Sequence, residues 1–574
     1  MQYMVAMHID IVPNRKSKPT YLLRESYRIG KKVRKRTLAN LSHLSIEKIE
    51  AIRLVLRGES MVPARDLFEV ISSKHHGHVQ AVLDTMRRLG FDRLLNSRPS
   101  RQRDVAMAVV AARILEPDSK LATTRWWHDT TLPRILGVND VDEDEVYEAM
   151  DWLLGRQPTI EKKLAARHLK EGSLILFDLT SSYFEGKSCP LAKLGHNRDG
   201  KKGKLQVNYG LLTDRRGCPV AVTVFDGNTG DPKTLLPQVK KVREQFGIQE
   251  MVFVGDRGMI SQKQIDDLKG VEGVAWITAL RTEPIRELVA DGALQLGLFD
   301  ERNLFEMEHP DYPGERLIAC RNPELAKLRS EKRRDLLRAT EEELEKVRGM
   351  VERGRLRGKA QIGVRVGRVI NKYKVAKHFE LDIENKKLQW RIDEGKVAAE
   401  ALLDGIYVIR TSLSKKRMKK EEVVRSYKDL SRVERAFRSL KSVDLLVRPI
   451  HHRLEDRVRS HIFLCMLSYY VQWHMIEAWR ELLFADEDQK AKSKRDPVAP
   501  SERSDAALEK VFTKRLEDGS EVHSFRTLLG HLSTVVRNTC RGKGADDKNP
   551  TFEMDTIPGP KQRKAYDLLA TIQV

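Results

Sequence analysis

Three carboxylates of the 574-residue chain stand where carboxylates are costly. Asp178 follows the apolar run LILF and Asp256 follows MVFVG, so each is expected at the C-terminal part of a buried strand. Strand ends in α/β folds gather ligands and catalytic groups, because neighbouring strands converge there. Turn and N-cap aspartates occupy similar places, and these two residues alone do not separate the readings. Glu434 lies in EEVVRSYKDLSRVERAFRSLKS. At about 100° per residue, this segment reads as one long helix whose inward stripe carries Val423, Tyr427, Leu430, Glu434, Phe437 and Lys441. A carboxylate on an apolar face loses hydration and needs a compensating charge. Lys441 is two turns away, too far for a contact within the helix, so the partner must come from outside: a cation of another element or a metal. Two divalent ions held by such carboxylates, about 4 Å apart, serve in-line phosphodiester displacement. Mg2+ suits hard oxygen ligands of this kind, with Mn2+ able to replace it.

The charge balance points to a substrate of matching sign. Lys and Arg number 104 against 82 Asp and Glu, a formal +22. A basic excess favours a polyanion, because each cation placed at a phosphate releases condensed counterions. The five cysteines, Cys189, Cys218, Cys320, Cys465 and Cys540, are scattered and never spaced C-x-x-C. That excludes a disulfide framework and a zinc ribbon as organising devices, and it predicts a reducing compartment. The opening MQYMVAMHIDIVPNRK lacks the ordered regions of a signal peptide. The longest apolar run, Ile462 to Val471, is too short to span a bilayer and reads as a buried helix.

The elements that must position these groups change texture along the chain. Residues 1–58 are expected to hold a basic strand or hairpin segment, in which Lys31, Lys32, Arg34, Lys35 and Arg36 of RIGKKVRKR either touch phosphates or form a solvated face. Residues 59–170 read as a helical, DNA-binding domain, with Gly90 and Gly155 at helix ends. From Gly172, short β-rich runs followed by alternating strand and helix predict a mixed α/β core, its first part at 171–282. Residues 283–401 break that rhythm with a charged helix over Glu324–Glu352 and a stretch, IGVRVGRVINKYKVAKHFELDI, that reads as β-rich, so this segment is an expected insertion. The core returns at 402–482, and SKKRMKK supplies Lys415, Lys416 and Arg417 as further candidate phosphate contacts. Residues 483–574 read as a polar tail, for dimerisation or DNA contact.

The motifs taken together resemble bacterial DDE transposases of insertion sequence family four and its close relatives. The resemblance runs through DLTSSYFEG, QVNYGLLTDRRGCPVAVTVFDGNTGD, VGDRGMIS, DGIYVIRTSLS and SYKDLSRVERAFRSLKSVDLLVRPIHH, and through the opening YLLRESYRIGKKVRKRTLANLS. It implies a multidomain α/β chain with an RNase H-like core interrupted by a β-rich insertion. Asp178, Asp256 and Glu434 would be the catalytic metal ligands, with Asp178 bridging two Mg2+ ions. The family signature of Tyr, Arg, Glu and Lys matches at Tyr427, Glu434 and Lys441, but Leu430 stands at the arginine position. Arg432 or Arg435 would supply the missing cation, although neither lies on the stripe. Tyr427 and Lys441 would contact the backbone of the transposon end. The resemblance further implies cut-and-paste movement of double-stranded DNA through terminal inverted repeats, a homodimer in the synaptic complex and a cytoplasmic, nucleoid-associated place of action. Trp276 and Trp390 are the aromatic candidates for stacking a flipped base, but ordinary core packing is the favoured reading of both. Another RNase H-like nuclease, or a domesticated DNA-binding protein, remains the alternative.

Overall fold

The computed structural model describes residues 6–15, 17–59, 67–486, 495–499, 503–542 and 550–573. The chain forms two compact units: residues 1–74 with 536–556, and residues 75–535 with 557–574. The division departs from the predicted boundary at residue 58, because part of the tail returns to build the first unit.

In the first unit, β1 (Ala6–Val12), β2 (Thr20–Ile29) and β3 (Lys32–Asn40) make an antiparallel sheet. Gly30, at a positive φ of 61°, opens the tight turn between β2 and β3. Asp10 on β1 accepts from Arg24 on β2 at 2.9 Å and from Lys35 on β3 at 2.8 Å, which ties the three strands together. Lys35 first, and then Arg24, hold the Asp10 carboxyl below its usual range. A second sheet joins β4 (Phe68–His75) to β15 (Val536–Gly542) and β16 (Phe552–Asp555), in the order β16-β15-β4.

The second unit is built on one mixed sheet of eight strands, ordered β10-β11-β14-β9-β8-β5-β6-β7. Its centre is β5 (Ser173–Tyr183), antiparallel to β6 (Gln206–Thr213) and parallel to β8 (Met251–Val254). β6 pairs antiparallel with β7 (Pro219–Phe225), and β8 pairs parallel with β9 (Val274–Ala279). The β-branched and aromatic composition of these runs suits strands buried on both faces. Gly210 on β6 has a packing reason: a Cβ there would meet the Phe177 ring at 2.5 Å. The helices between Gly77 and His168, the sheet and the helix Glu455–Ala478 share one hydrophobic core. The predicted apolar helix is thus the spine of that core, buried from Val458 to Met475 apart from Arg459. No described helix is long and apolar enough to cross a membrane.

The predicted insertion is only partly separate. Its strands β10 (Leu304–Met307) and β11 (Arg316–Arg321) extend the main sheet through β14 (Ile406–Thr411). The charged helix runs over Pro323–Glu352. The stretch read as β-rich is instead a helix over Lys359–Ile370 followed by the hairpin β12 (Phe379–Ile383) and β13 (Leu388–Ile392). Ile362, Val366, Val369 and Ile370 fall at i, i+4, i+7 and i+8, and all four are buried with Leu344, Val347 and Val351 of the charged helix.

Candidate active site

Asp178 and Asp256 are brought side by side by strand register. The parallel pairing of β5 with β8 ends at Leu176 opposite Val254, and each aspartate lies two residues further along its own strand path. Adjacent strands run about 4.8 Å apart, so equal offsets place the two carboxylates as neighbours. Asp178 is not at a strand end: β5 continues to Tyr183 against β6, and the carboxylate sits where β8 stops covering its flank. Asp178 Oδ1 accepts the Leu179 N–H at 2.8 Å. Asp256 Oδ1 accepts the N–H groups of Gly258 (3.0 Å) and Met259 (2.8 Å), an Asx turn that aims the carboxylate.

Glu434 arrives from above. The predicted long helix is divided at Asp429 into Lys420–Lys428 and Leu430–Arg438, and a π turn follows over Ser439–Val443. The second helix packs across β5. Val433, Ala436 and Phe437 form its buried face, and the Phe437 ring meets Tyr209 edge-on at 5.9 Å. Glu434 is exposed, not buried as the wheel predicts. The wheel assumed one continuous helix, whereas the break at Asp429 leaves Val433, Ala436 and Phe437 as the buried face of the second helix.

Asp178 senses the other two carboxylates. Burial first, and then the charges of Asp256 and Glu434, push the Asp178 carboxyl up to about 7, against the lowering effects of the Leu179 N–H and Arg198. Their oxygen atoms do not all fall within 4.8 Å of one another. Tyr427, partly buried, faces the same group: burial, Asp256, Glu434 and Asp178 raise its phenol to about 12, opposed by Arg257. Mutual repulsion of this kind is relieved by a cation, and hard oxygen donors suit a divalent one.

The other candidate residues are placed unevenly. Lys441 is buried, and its ammonium donates to Thr180 Oγ1 at 3.0 Å and pairs with Asp199 Oδ1 at 2.5 Å. It is engaged inside the protein, where Asp199 receives it. Arg448 pairs with the same carboxylate, which is 1 % exposed. Asp199 and Arg198 belong to the polar run HNRDG, a turn-like stretch in which sequence reasoning singled out neither residue. Leu430, at the expected arginine position, is half-buried against the core. Arg432 bonds Asp429 at 2.9 Å and, with Arg216, Arg435, Arg438 and Arg480, lines a cavity of about 210 Å³ beside the Glu434 helix. Arg435 and Arg438 are exposed there. Lys415, Lys416 and Arg417 are also exposed; Lys415 pairs with Glu306 (3.2 Å) and Arg417 with Glu250 (3.5 Å). Lys31, Lys32, Arg34, Lys35 and Arg36 are exposed around the β2–β3 turn of the other unit. Trp276 is a core residue, 4 % exposed, whose indole N–H donates to Glu315 at 3.3 Å. Trp390 lies under Arg348 at 5.1 Å in the β12–β13 hairpin.

The family model for the transposase DDE domain matches residues 170–471, more than half of the chain. The model for the N-terminal domain of IS1634 family transposases matches residues 9–64. No curated protein matches. Among solved structures, the cryo-EM structure of a piggyBac transposase synaptic complex with hairpin DNA is similar at 10 % identity and a TM-score of 0.31, covering 79 % of this chain and 78 % of that one. The match over 170–471 spans Asp178, Asp256 and Glu434 together with the sheet that carries them, and the chain belongs to the DDE-domain transposases of bacterial insertion sequences, metal-dependent enzymes that cleave DNA and transfer strands.

Proposed function

We propose that Asp178, Asp256 and Glu434 hold the divalent ions of this transposase, with Asp178 shared between two Mg2+ ions that Mn2+ can replace. The observation that carries the reading is the register: two aspartates at equal offsets on adjacent parallel strands, beneath the helix that carries the glutamate. The order β7-β6-β5-β8-β9, antiparallel on one side of β5 and parallel on the other, supports an RNase H-like core. Bound ions would activate a water or 3′-hydroxyl and neutralise charge on the leaving oxygen.

The chain's own residues hold and orient the DNA. Tyr427 keeps its proton because burial, and then its acidic neighbours, raise its phenol, so its hydroxyl is a hydrogen-bond donor beside the carboxylates. Arg435 and Arg438 offer planar forks that match phosphate oxygens. Lys441 acts as a strut: it joins Thr180, two residues beyond Asp178, to the end of the Glu434 helix. The reaction is cut-and-paste: hydrolysis at the terminal inverted repeats exposes 3′-hydroxyls, which attack target DNA while two copies of the chain hold the paired ends. Its place of action is the bacterial cytoplasm, on the nucleoid.

The test is incubation of the purified chain with a duplex bearing the element's own end and Mg2+, with the cut strands mapped at nucleotide resolution. Cleavage at the end that disappears in Glu434→Gln supports the assignment; unchanged cleavage in that variant overturns it. Binding gives a separate expectation. Affinity for end DNA should fall steeply with salt, by about 0.9 log unit per log unit of salt for each neutralised phosphate. Replacing Lys31, Lys32, Arg34 and Arg36 by Ala should flatten that slope by about 2–4. An unchanged slope in a filter-binding titration would remove the β2–β3 turn from the interface.

A further inference from the structure

Away from the carboxylates, three soft-donor side chains meet from distant parts of the second unit. His168 is the last residue of the helix Gln157–His168. Cys218 follows the turn Asp214–Gly217 and leads into β7. His474 lies in the last turns of Glu455–Ala478. Cys218 Sγ stands 4.0 Å from His168 Nε2 and 3.9 Å from His474 Nε2, and the three ligand atoms lie within 4.8 Å of one another. Among the described residues this is the one such group of His, Cys, Asp or Glu that closes so tightly. We propose that His168, Cys218 and His474 hold one zinc ion through three protein ligands, with the fourth position left to water, at a site separate from the catalytic ions and different in donor chemistry.

The geometry needs little adjustment. A tetrahedral zinc with a sulfur at 2.3 Å and nitrogens near 2.05 Å sets ligand atoms about 3.6 Å apart. The observed sulfur–nitrogen distances exceed that by a few tenths of an ångström, within reach of side-chain rotation. The turn that presents Cys218 is held independently of any ion: Asp214 Oδ1 accepts the N–H groups of Arg216 (2.8 Å) and Cys218 (3.0 Å), and Gly217 takes a φ of +84°.

Protonation also suits a cation. Burial lowers His168 to about 4 and His474 to about 3, so both imidazoles are neutral at physiological pH. Burial, Asp214 and Glu477 raise the Cys218 thiol, so a bound ion must displace its proton to gain the thiolate ligand. One rearrangement is required. Arg216 donates to His168 Nδ1 at 3.2 Å, which leaves the ring proton on Nε2, facing the Tyr470 oxygen at 3.0 Å. Metal loading moves that proton to Nδ1 and releases Arg216. The Arg216 side chain is 59 % exposed, and it keeps its bond to Asp214 and its stacking over Trp473 (5.2 Å).

The donor sets would sort the metals. One thiolate and two imidazoles suit zinc, whereas Mg2+ takes oxygen ligands and would be confined to the carboxylates. The zinc would pin a helix end, a sheet turn and the core spine at one point. Trp473, Ile476 and Glu477, beside His474, line the arginine-rich cavity next to the Glu434 helix, so the ion would also steady that wall.

The test uses the full chain, purified without chelators. Elemental analysis should find about one zinc per chain. Replacement by Co2+ should give a thiolate-to-cobalt charge-transfer band and intense tetrahedral visible bands. Cys218→Ser should lose the charge-transfer band, His474→Ala should lose the stoichiometry, and Cys465→Ser, at another buried cysteine, should keep both. Because a variant can fail to fold, the cobalt spectrum of the unmodified chain decides on its own. A folded wild-type chain that takes up neither zinc nor cobalt with thiolate absorption overturns the proposal. Full zinc retention in folded Cys218→Ser overturns it as well.

Discussion

Asp178→Asn is expected to abolish strand cleavage and, at the same time, to stabilise the metal-free protein. Loss of cleavage follows from removing the carboxylate that the other two flank; the expected fall is about 10³-fold or more, the scale seen when a group essential to transition-state charge is deleted. The gain in stability follows from the same crowding. The Asp178 carboxyl moves from 3.8 to about 7 on folding. An acid whose folded value is raised is penalised when ionised. The penalty is absent below pH 4, grows between pH 4 and 7 and is complete above pH 7. A shift of that size corresponds to about 4 kcal/mol in full. Water reaching the partly open site reduces this to about 1–3 kcal/mol. The melting temperatures of wild type and variant should therefore coincide near pH 4 and diverge as pH rises to 8. Added Mg2+ should raise only the wild type at pH 8. Parallel melting curves across pH, or equal stabilisation of both proteins by Mg2+, would contradict the placement of Asp178 among the carboxylates.

Removing Asp199 should have the largest effect on stability. Its carboxylate is 1 % exposed, receives Lys441 and Arg448 and accepts the Tyr183 N–H at 2.9 Å. Asp199→Ala leaves two cations without their counter-ion, and breaking a buried pair from one side costs about 3–5 kcal/mol. Activity should fall as well, by about 10²-fold in kcat, since displacement of reacting groups by an ångström has that cost. Lys441→Met in the Asp199→Ala background should restore about half of the lost stability, because one orphaned charge goes with it. Strictly additive destabilisation in that double-mutant cycle would show that the two residues are not coupled. Retained DNA affinity in Lys441→Met, with lowered kcat, separates a strut from a backbone contact.

The sheet and its carboxylates were legible because strands announce themselves locally. LILFD and MVFVGD each carry an apolar run closed by an acid, and register does the rest. The burial that singled out Glu434 does not hold, since the residue is exposed. The wheel treated residues 421–442 as one helix, and the break at Asp429 and the π turn at 439–443 change which flank each residue faces. Lys441 shows the limit of reading one element alone: its fate depends on Asp199, 242 positions away in the chain, inside a run that reads as an ordinary turn. The helix over Lys359–Ile370 was misread because Val364, Val366 and Val369 have strand propensity, while the burial that decides the matter follows a helical period. The return of residues 536–556 to the first unit had no local signal at all, since strand pairing across the length of the chain leaves no mark on either partner's composition.

That return has a consequence for how the molecule is made. β4 ends at residue 75, yet its neighbour β15 begins at residue 536. At bacterial elongation rates the ribosome needs roughly 20–90 s to cover the interval. Until then β4 waits without its sheet. A message cut short after the catalytic core would still encode every carboxylate of the site, but its product would lack both strands that complete the first unit. Only a chain that extends through Asp555 carries all three strands of that sheet, so β4 depends for its pairing on residues made some 460 positions later.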